Sequence, residues 1–302
     1  MLVIIARLGI WVGKRPRLRC TKGWPISRIS RLPPSRFAKT VPSTTDQAPN
    51  RPGIFPRILS ALSGKRAPAA VPPGMRVYAV GDIHGCASQL DDLMAMILAD
   101  NQSSGLDTQL VFLGDYLDRG PDSKGVVARL LAPPEGYAST HLMGNHDQAL
   151  LDFLDDPIVY RSWRAFGAPE TLASYGVRPP RFDDEAEFAL ARDQLAQAMP
   201  ADHLDFLRNL PLSTRIGGYF FVHAGVRPGI ALAEQIAADM LWIRDEFLQS
   251  QYDFGSVIVH GHTPIERLVR HTNRINVDSG AYATGRLTAA VLEGQACRFL
   301  ST

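Results

Sequence analysis

Val77-Tyr78-Ala79-Val80-Gly81-Asp82-Ile83-His84-Gly85 is the stretch that decides the fold of this 302-residue chain. Its apolar first half predicts a buried strand over residues 76–80 that ends at a glycine turn. A carboxylate and an imidazole follow at once, in an extended segment whose flanking glycines allow close backbone approach. The pattern therefore predicts that ligand-type side chains lie just beyond the carboxyl end of this strand.

Four further polar signatures follow other apolar runs in the chain. They are Gly114-Asp115-Tyr116-Leu117-Asp118-Arg119-Gly120, Gly144-Asn145-His146-Asp147, His223-Ala224-Gly225 and His260-Gly261-His262-Thr263. The five signatures together offer carboxylates, imidazoles, an amide and an arginine. Oxygen and nitrogen ligands that arrive from several strand ends are typical of a hydrolytic site with two metal ions.

The first half of the domain alternates between strand and helix patterns. Strands are predicted over 76–80, 109–113 and 139–143, and helices from residue 88, near 124–131 and over 148–153. This βαβαβ order implies parallel strands, with ligands bound beyond their carboxyl ends. The fold class predicted for the chain is therefore α/β.

The second half has a different character. Aromatic residues and an acidic helical stretch at 185–199 predict a helical insertion over the site at about 154–215. Closely spaced strands then follow, which we interpret as a second, mostly antiparallel sheet; they lie at 219–223, 256–260, 274–277, 287–292 and 296–300. Two packed sheets flanked by helices are the expected architecture.

Charge divides the chain into two parts, which the net charge of +2 conceals. Residues 1–70 hold 14 Lys or Arg but one acidic residue, Asp46, and are rich in Pro and Ser, which predicts a disordered basic tail. Residues 71–302 hold 18 basic and 29 acidic residues and form the predicted globular domain. An acidic domain argues against a nucleic-acid duplex as an obligatory partner.

The function of residues 1–70 is left open by the sequence. A dispensable tail, an artefact of an early start site with Met75 as the true start, and an organellar transit peptide all fit the composition. A basic arm that binds RNA or membranes is a further alternative. No apolar stretch reaches the roughly 18 residues of a membrane span, and Cys20, Cys86 and Cys297 show no disulfide framework. We therefore expect a cytoplasmic protein.

The ordered signatures resemble the phosphoprotein phosphatase family of calcineurin-like metallophosphoesterases, especially its bacterial serine/threonine phosphatase branch. The family pattern GD-x-HG, GD-x-x-DRG and GNH-E/D is matched without a gap at 81–85, 114–120 and 144–147. The later histidine motifs match at 221–225 and 259–263, and the resemblance covers about residues 75–300. It implies an αββα sandwich of two mixed sheets.

The resemblance also implies a role for each matched residue. Two divalent metal ions, with manganese expected and iron or zinc as alternatives, would be held by Asp82, His84, Asp115, Asn145, His223 and His262, with Asp115 shared between them. The metal ions would activate a water for in-line attack on phosphorus. Arg119 and Arg244 would grip the phosphate, and His146, oriented by Asp118, would protonate the leaving oxygen.

Other polar residues are assigned to structural roles. His260 stands where animal members carry an arginine, and we interpret it as a residue behind the ligands rather than a further ligand. His141 is predicted in the core of a strand, and His203 and His271 are predicted on the surface. Cys86 is interpreted as a small packing residue, because no activating cluster marks it as a nucleophile.

Three functions are compatible with these residues. The main expectation is a metal-dependent serine/threonine protein phosphatase, whose partner is a phosphorylated protein or a small phosphoester. The alternative is a hydrolase of dinucleoside polyphosphates such as diadenosine tetraphosphate. An inactive phosphate- or protein-binding module is disfavoured, because no ligand, clamp or acid is missing from the motifs. The sequence leaves the oligomeric state open and contains no nucleophile elbow or phosphate-binding loop.

Overall fold

The computed structural model of the protein describes residues 68–302. Alternate residues of its first strand, Met75–Val80 (β1), pack into two different cores. Val77 and Ala79 join a core that also contains residues of the second sheet, whereas Tyr78 and Val80 pack in the helix-side core. This division follows from the two-residue period of a strand. The predicted tail at 1–70 falls outside the described residues except for its last three positions.

The described part of the chain contains nine strands, ten α-helices and three short 3-10 helices, Pro157–Val159, Arg164–Phe166 and Leu232–Glu234. The strands are β1, β2 (Asp107–Phe112), β3 (Ala138–His141), β4 (Ser213–Ile216), β5 (Tyr219–Val222), β6 (Val257–His260), β7 (Arg274–Asn276), β8 (Thr288–Glu293) and β9 (Ala296–Ser301). The helices are α1 (Ala87–Asn101), α2 (Ser123–Leu130), α3 (Asn145–Asp155), α4 (Tyr160–Trp163), α5 (Ala168–Ser174), α6 (Glu185–Ala198), α7 (Ala201–Arg208), α8 (Ala237–Trp242), α9 (Asp245–Leu248) and α10 (Ala281–Thr284).

The strands form two mixed sheets. The first has the order β3-β2-β1-β8-β9, with β1, β2 and β3 parallel and β8 antiparallel to β1. The second has the order β4-β5-β6-β7. Apolar residues of both sheets meet in one core between them, and helices cover the outer faces. The predicted α/β fold of two packed mixed sheets flanked by helices is confirmed.

The predicted composition of the second sheet is wrong in two respects. Strands β5, β6 and β7 run parallel, and β4 alone is antiparallel to its neighbour. The last two strands form a hairpin that pairs with β1 and so extends the first sheet. Close spacing along the chain suggested consecutive antiparallel partners, but the segment between β5 and β6 contains α8 and α9 and acts as a crossover connection.

The outer face of each sheet is covered by helices. Phe220 and Val222 of β5 pack with Met240 of α8 and Phe247 of α9, in a core separate from the one between the sheets. On the first sheet, residues of α1, α2, α3, α5 and α6 share one large core with β1 and β2. Within residues 68–302 we find no helix with the length and apolar character needed to cross a membrane.

Candidate metal centre

The loops that follow β1, β2 and β6 hold unusual backbone conformations at the positions of the polar signatures. In the described part of the chain, the non-glycine residues with left-handed φ are His84, Asp115, Asp118, Arg119 and His262. Non-glycine residues rarely adopt this conformation, and it concentrates at functional sites where the surrounding structure enforces it. All five belong to the predicted site.

Asp115 lies between two histidines, one for each of its carboxylate oxygens. His84 Nε2 is 3.4 Å from Oδ2, and His223 Nε2 is 3.4 Å from Oδ1. The Nδ1 atoms of the two histidines lie 2.8 and 2.9 Å from the carbonyl oxygens of Leu117 and Leu113, and a carbonyl can only accept a hydrogen bond. The neutral rings therefore carry their proton on Nδ1 and direct the Nε2 lone pair at the carboxylate.

Both histidines are held in this neutral form. Burial lowers the pKa of His84 to about 3, although Asp115 acts in the opposite direction. Burial also lowers the pKa of His223. Two lone pairs that face one carboxylate repel it, and a cation beside each oxygen would turn both repulsions into attractions. The arrangement fits two metal ions that share Asp115.

Two groups of ligand-type atoms share Asp115, and the second group, which contains His223 and His262, has more ligand-type atoms than the first. His223 Nε2 lies 2.9 Å from Asn145 Oδ1 and 3.2 Å from His262 Nδ1. Asp115, His223 and His262 are all buried and close enough to hold one ion. Asn145 occupies the first turn of α3, which begins three residues before the predicted start of that helix. Two imidazoles, an amide oxygen and a carboxylate suit a transition metal such as Mn, Fe or Zn.

The first group contains His84, Asp115 and His146. His146 Nε2 is 3.8 Å from Asp115 Oδ2. The sequence predicted an acid role for His146 and no role as a metal ligand. Asp82, a predicted ligand, lies in neither group and accepts a hydrogen bond from the backbone N–H of His262 at 2.9 Å. Burial, with Asp278 and Asp115 nearby, raises the pKa of Asp82.

Buried negative charge is concentrated around these groups. Asp82, Asp115, Asp118, Asp147 and Asp278 each expose 2% or less of their surface. Burying several carboxylates together is unfavourable unless protons or cations compensate their charge. Nε2 of His262 is also buried without a hydrogen-bond partner among residues 68–302. The residues present therefore fit divalent cations.

His146 and Asp118 form the predicted acid pair. His146 Nδ1 lies 2.7 Å from Asp118 Oδ2. Burial alone would lower the pKa of His146, but Asp115 and Asp118 outweigh it and leave this pKa above its ordinary value. Arg119 Nη2 lies 3.2 Å from His146 Nε2, so the guanidinium reaches the side of the ring that faces away from Asp118.

The two predicted phosphate-binding arginines have different surroundings. The Arg119 guanidinium lies 4.5 Å from the centre of the Tyr282 ring. Arg244 follows α8 and is exposed, and its guanidinium forms no hydrogen bond or carboxylate ion pair with any residue of 68–302. Burial is the main cause of the lowered pKa of His223 and of His262, and the charge of Arg244 contributes to both.

Sequence reasoning missed several residues that support the site. Asp147 accepts hydrogen bonds from the backbone N–H groups of Gly144, Asp115 and Tyr116 and so joins two of the loops. Trp163 and Thr171 of the insertion both donate to Asp118. Asp278 follows β7 as Asp115 follows β2, so the rule used for the other strand ends would have found it.

Four histidines belong to neither metal-binding group. His260 ends β6 and is buried against the ring of Phe247, with 4.9 Å between ring centres, and it belongs to neither metal-binding group. His271 is exposed, as predicted. The prediction for His203 is wrong, because it is buried in α7 and Nδ1 lies 2.9 Å from the Tyr175 hydroxyl. His141 ends β3 and stacks on Phe112, a core residue.

Comparison with known proteins identifies the family of this fold and site. Residues 75–290 match the calcineurin-like phosphoesterases. The chain belongs to this family. The match includes the loops that carry both groups of ligand-type residues, so the calcineurin-like phosphoesterase fold and the candidate metal centre come from the same stretch of sequence.

Curated calcineurin-like relatives include symmetrical bis(5'-nucleosyl)-tetraphosphatases. The protein from Janthinobacterium sp. (strain Marseille) is 31% identical over 163 residues, which is 54% of this chain and 48% of the relative. That from Acidovorax sp. (strain JS42) is 34% identical over 168 residues, 54% of this chain and 48% of the relative. The chain thus spans about half the length of the relatives it matches.

A solved structure resembles a larger part of the chain. A candidate diadenosine tetraphosphatase is 26% identical, with a TM-score of 0.53, over 78% of this chain and 98% of that one. An asymmetrical bis(5'-nucleosyl)-tetraphosphatase from Oceanobacillus iheyensis is 23% identical over 71% of this chain and 88% of its own length. These proteins share the calcineurin-like fold with this chain.

Proposed function

We propose that this protein is a two-metal hydrolase of dinucleoside polyphosphates. The observation that carries the proposal is the position of Asp115 between the Nε2 lone pairs of His84 and His223, one for each carboxylate oxygen. One ion on each side of a shared carboxylate is the arrangement that two-metal phosphoesterases use. The predicted ligands His84, Asp115, Asn145, His223 and His262 would hold the two ions, with Asp82 against the backbone of His262.

The names of the relatives support this substrate class over the phosphoprotein that the motifs first suggested. Curated relatives and a solved structure are described as dinucleoside tetraphosphatases. A tetraphosphate adds negative charge beside an acidic domain. Two divalent ions, Arg119 and Arg244 would offset that charge, whereas Arg161 and Arg227 are already paired with Asp183 and Asp239.

The protein's own groups account for the proton transfers. When bound, the two ions would activate a water and neutralise the phosphoryl oxygens. Asp118 holds His146 Nδ1 and fixes the ring, so that Nε2 is the atom that gives a proton to the leaving phosphate oxygen. Arg119 approaches Nε2 in the present arrangement. Its guanidinium must therefore turn toward the phosphate before His146 can carry and donate that proton.

The balanced reaction is the addition of one water across a phosphoanhydride bond. Hydrolysis of diadenosine tetraphosphate at the central bridge yields two molecules of ADP, whereas cleavage nearer one end yields ATP and AMP. The curated relatives with the higher identities are named symmetrical, and we therefore propose cleavage at the centre. Product analysis distinguishes the two positions directly.

The test is a panel of substrates on protein reconstituted with Mn²⁺, Fe²⁺ or Zn²⁺. Diadenosine tetraphosphate, a phosphoserine peptide and p-nitrophenyl phosphate are compared by kcat/KM, and the nucleotide products are separated by chromatography. We expect the highest kcat/KM for the dinucleotide and ADP as the product. A higher kcat/KM for the phosphopeptide would restore the protein phosphatase expectation, and no turnover of any substrate would favour a binding module.

A further inference from the structure

Each group of ligand-type residues has an exposed aromatic side chain beside it. Tyr282 is 41% exposed, and its ring meets that of His84 edge to face with 5.4 Å between centres. Trp242 is 46% exposed, and its ring meets that of His262 with 6.1 Å between centres. Large aromatic rings are usually buried in a folded protein, so two exposed rings at one polar site are unusual.

One of the two aromatic residues has an arginine in contact with its ring, and the other has an arginine near it in the sequence. The Arg119 guanidinium lies over the ring of Tyr282. Arg244 is two residues beyond Trp242, and the residue between them, Ile243, is buried. The site therefore has an aromatic ring with an arginine over it next to His84 of the first group, and a second aromatic ring next to His262 of the second group, which Arg244 follows two residues later in the chain.

The arrangement matches a ligand with phosphates at its centre and an aromatic group at each end. We propose that Tyr282 and Trp242 are the two nucleobase platforms of the site, and this inference rests on the proposed function. Any nucleobase can stack on an aromatic ring, because every base has a flat π face. The arginines beside the rings would contact the phosphates that follow each nucleoside.

Space for one nucleoside is present beside Tyr282. A cavity of about 490 Å³ is lined by Arg119, Tyr282 and the start of α1 from Cys86 to Gln89. This volume lies within the usual range for small-molecule sites. The Trp242 ring is braced by the Phe166 ring, with 6.3 Å between centres, and Phe166 also meets the ring of His146 at 5.9 Å. Phe166 belongs to the helical segment after β3, so that segment helps to orient the second platform.

The test separates base recognition from phosphate chemistry. Trp242→Ala, Tyr282→Ala and the ring-retaining Trp242→Phe and Tyr282→Phe are assayed on diadenosine tetraphosphate and on inorganic tetraphosphate, which has the same phosphate chain without bases. Tyr252→Ala is the matched control, because Tyr252 is also 46% exposed but precedes β6, at the end of that strand opposite His262. Thermal unfolding checks that each variant is folded.

We expect each alanine variant to raise KM for the dinucleotide by roughly 5- to 150-fold, the range that stacking of one base supports. Its kcat/KM for inorganic tetraphosphate should fall by a much smaller factor, because that substrate has no base to stack, and the phenylalanine variants should keep most of the affinity. Equal losses on both substrates, or no change on the dinucleotide, would overturn the platforms while leaving the proposed function intact. Failure of the unsubstituted enzyme to cleave the dinucleotide would overturn both.

Discussion

Trp163 donates its indole N–H to Asp118 Oδ2 at 2.6 Å, and the same oxygen holds Nδ1 of His146. Thr171 donates to the other oxygen of this carboxylate at 2.6 Å. Asp118 is fully buried, and its charge is therefore stabilised by two residues that lie well beyond the third signature in the sequence. The helices that follow β3 thus complete the acid pair as well as covering it.

Trp163→Phe should lower kcat for phenyl phosphate by about 10- to 100-fold, because a buried hydrogen bond to a charged group contributes roughly 1.5–3 kcal/mol. The control is Tyr160→Phe, which alters a neighbouring buried ring without touching Asp118. Both kcat values are compared at a temperature where both variants are folded. Similar losses in the two variants would show that packing, rather than the hydrogen bond to Asp118, supports the reaction.

His146→Asn should lower kcat for phenyl phosphate by about 10²- to 10⁴-fold, the usual scale of general acid catalysis. The loss should be much smaller with p-nitrophenyl phosphate, because its leaving group scarcely needs a proton. His203→Asn replaces a buried histidine in α7 and serves as the control. If the two esters lose the same factor, His146 acts on the metals or the phosphate and not as an acid.

Asp115→Asn should abolish turnover and reduce the metal content of the protein. Asparagine keeps one oxygen but loses the charge that each ion needs at the shared position. Metal content by mass spectrometry should fall from two ions per chain to one or none. Asp107→Asn, at the opposite end of β2, should retain both ions. Two ions and normal activity in Asp115→Asn would refute the two-metal site.

Most of the residues predicted for the site lie close together, because they follow strands at short, fixed distances. The signature at Gly144-Asn145-His146 could be placed after a strand from local pattern alone, and Asn145 indeed lies beside His223. The partners of β8 and the contacts of Trp163 could not be obtained in this way. They depend on which segments meet in space over long separations, and hydrophobic periodicity carries no information about that.

The error at His203 has the same origin. A polar residue in a helical pattern is usually exposed, and burial became possible because Tyr175 supplies a hydrogen-bond partner for its ring. Asp147 belongs to the third signature, but its supporting role could not be predicted from that position. Its three backbone donors come from two loops that are far apart in the sequence. Burial, with Asp115 nearby, raises the pKa of Asp147 to about 7.

A shortened protein that begins at residue 68 should keep the activity of the full chain on small phosphoesters, since both groups of ligand-type residues lie within residues 68–302. One that begins at Met75 should be less stable by about 2–4 kcal/mol. It loses the buried residues Ala69 and Val71 and five hydrogen bonds. In four of them the lost residues accept from Gly218, Tyr219, Met75 and Asp107, and in the fifth Val71 donates to Gly294. Urea unfolding measures the difference, and equal midpoints and slopes would contradict this expectation.

Asp100 joins three elements of the first sheet and its helix layer, and its effect on stability should depend on pH. The carboxylate of this α1 residue accepts hydrogen bonds from Tyr78 of β1 at 2.5 Å and from Arg298 of β9 at 2.6 Å. Partial burial acts to raise the pKa of Asp100, but the hydrogen bonds from Arg298 and Tyr78 outweigh it and leave the pKa below its ordinary value. A carboxyl with a depressed pKa stabilises the fold above its unfolded-state pKa, and this contribution is lost as the pH falls through the folded-state pKa.

Asp100→Asn should therefore lower the free energy of unfolding by about 1–3 kcal/mol at pH 7, the range for hydrogen bonds to charged groups. The difference from the unsubstituted protein should shrink below about pH 4, where the unfolded carboxyl is protonated. Asp92→Asn, on the same helix and exposed, is the control and should have little effect at either pH. Urea unfolding at a series of pH values measures both variants. A destabilisation by Asp100→Asn that stays constant down to pH 3 would show that the shape of the side chain matters there and its charge does not.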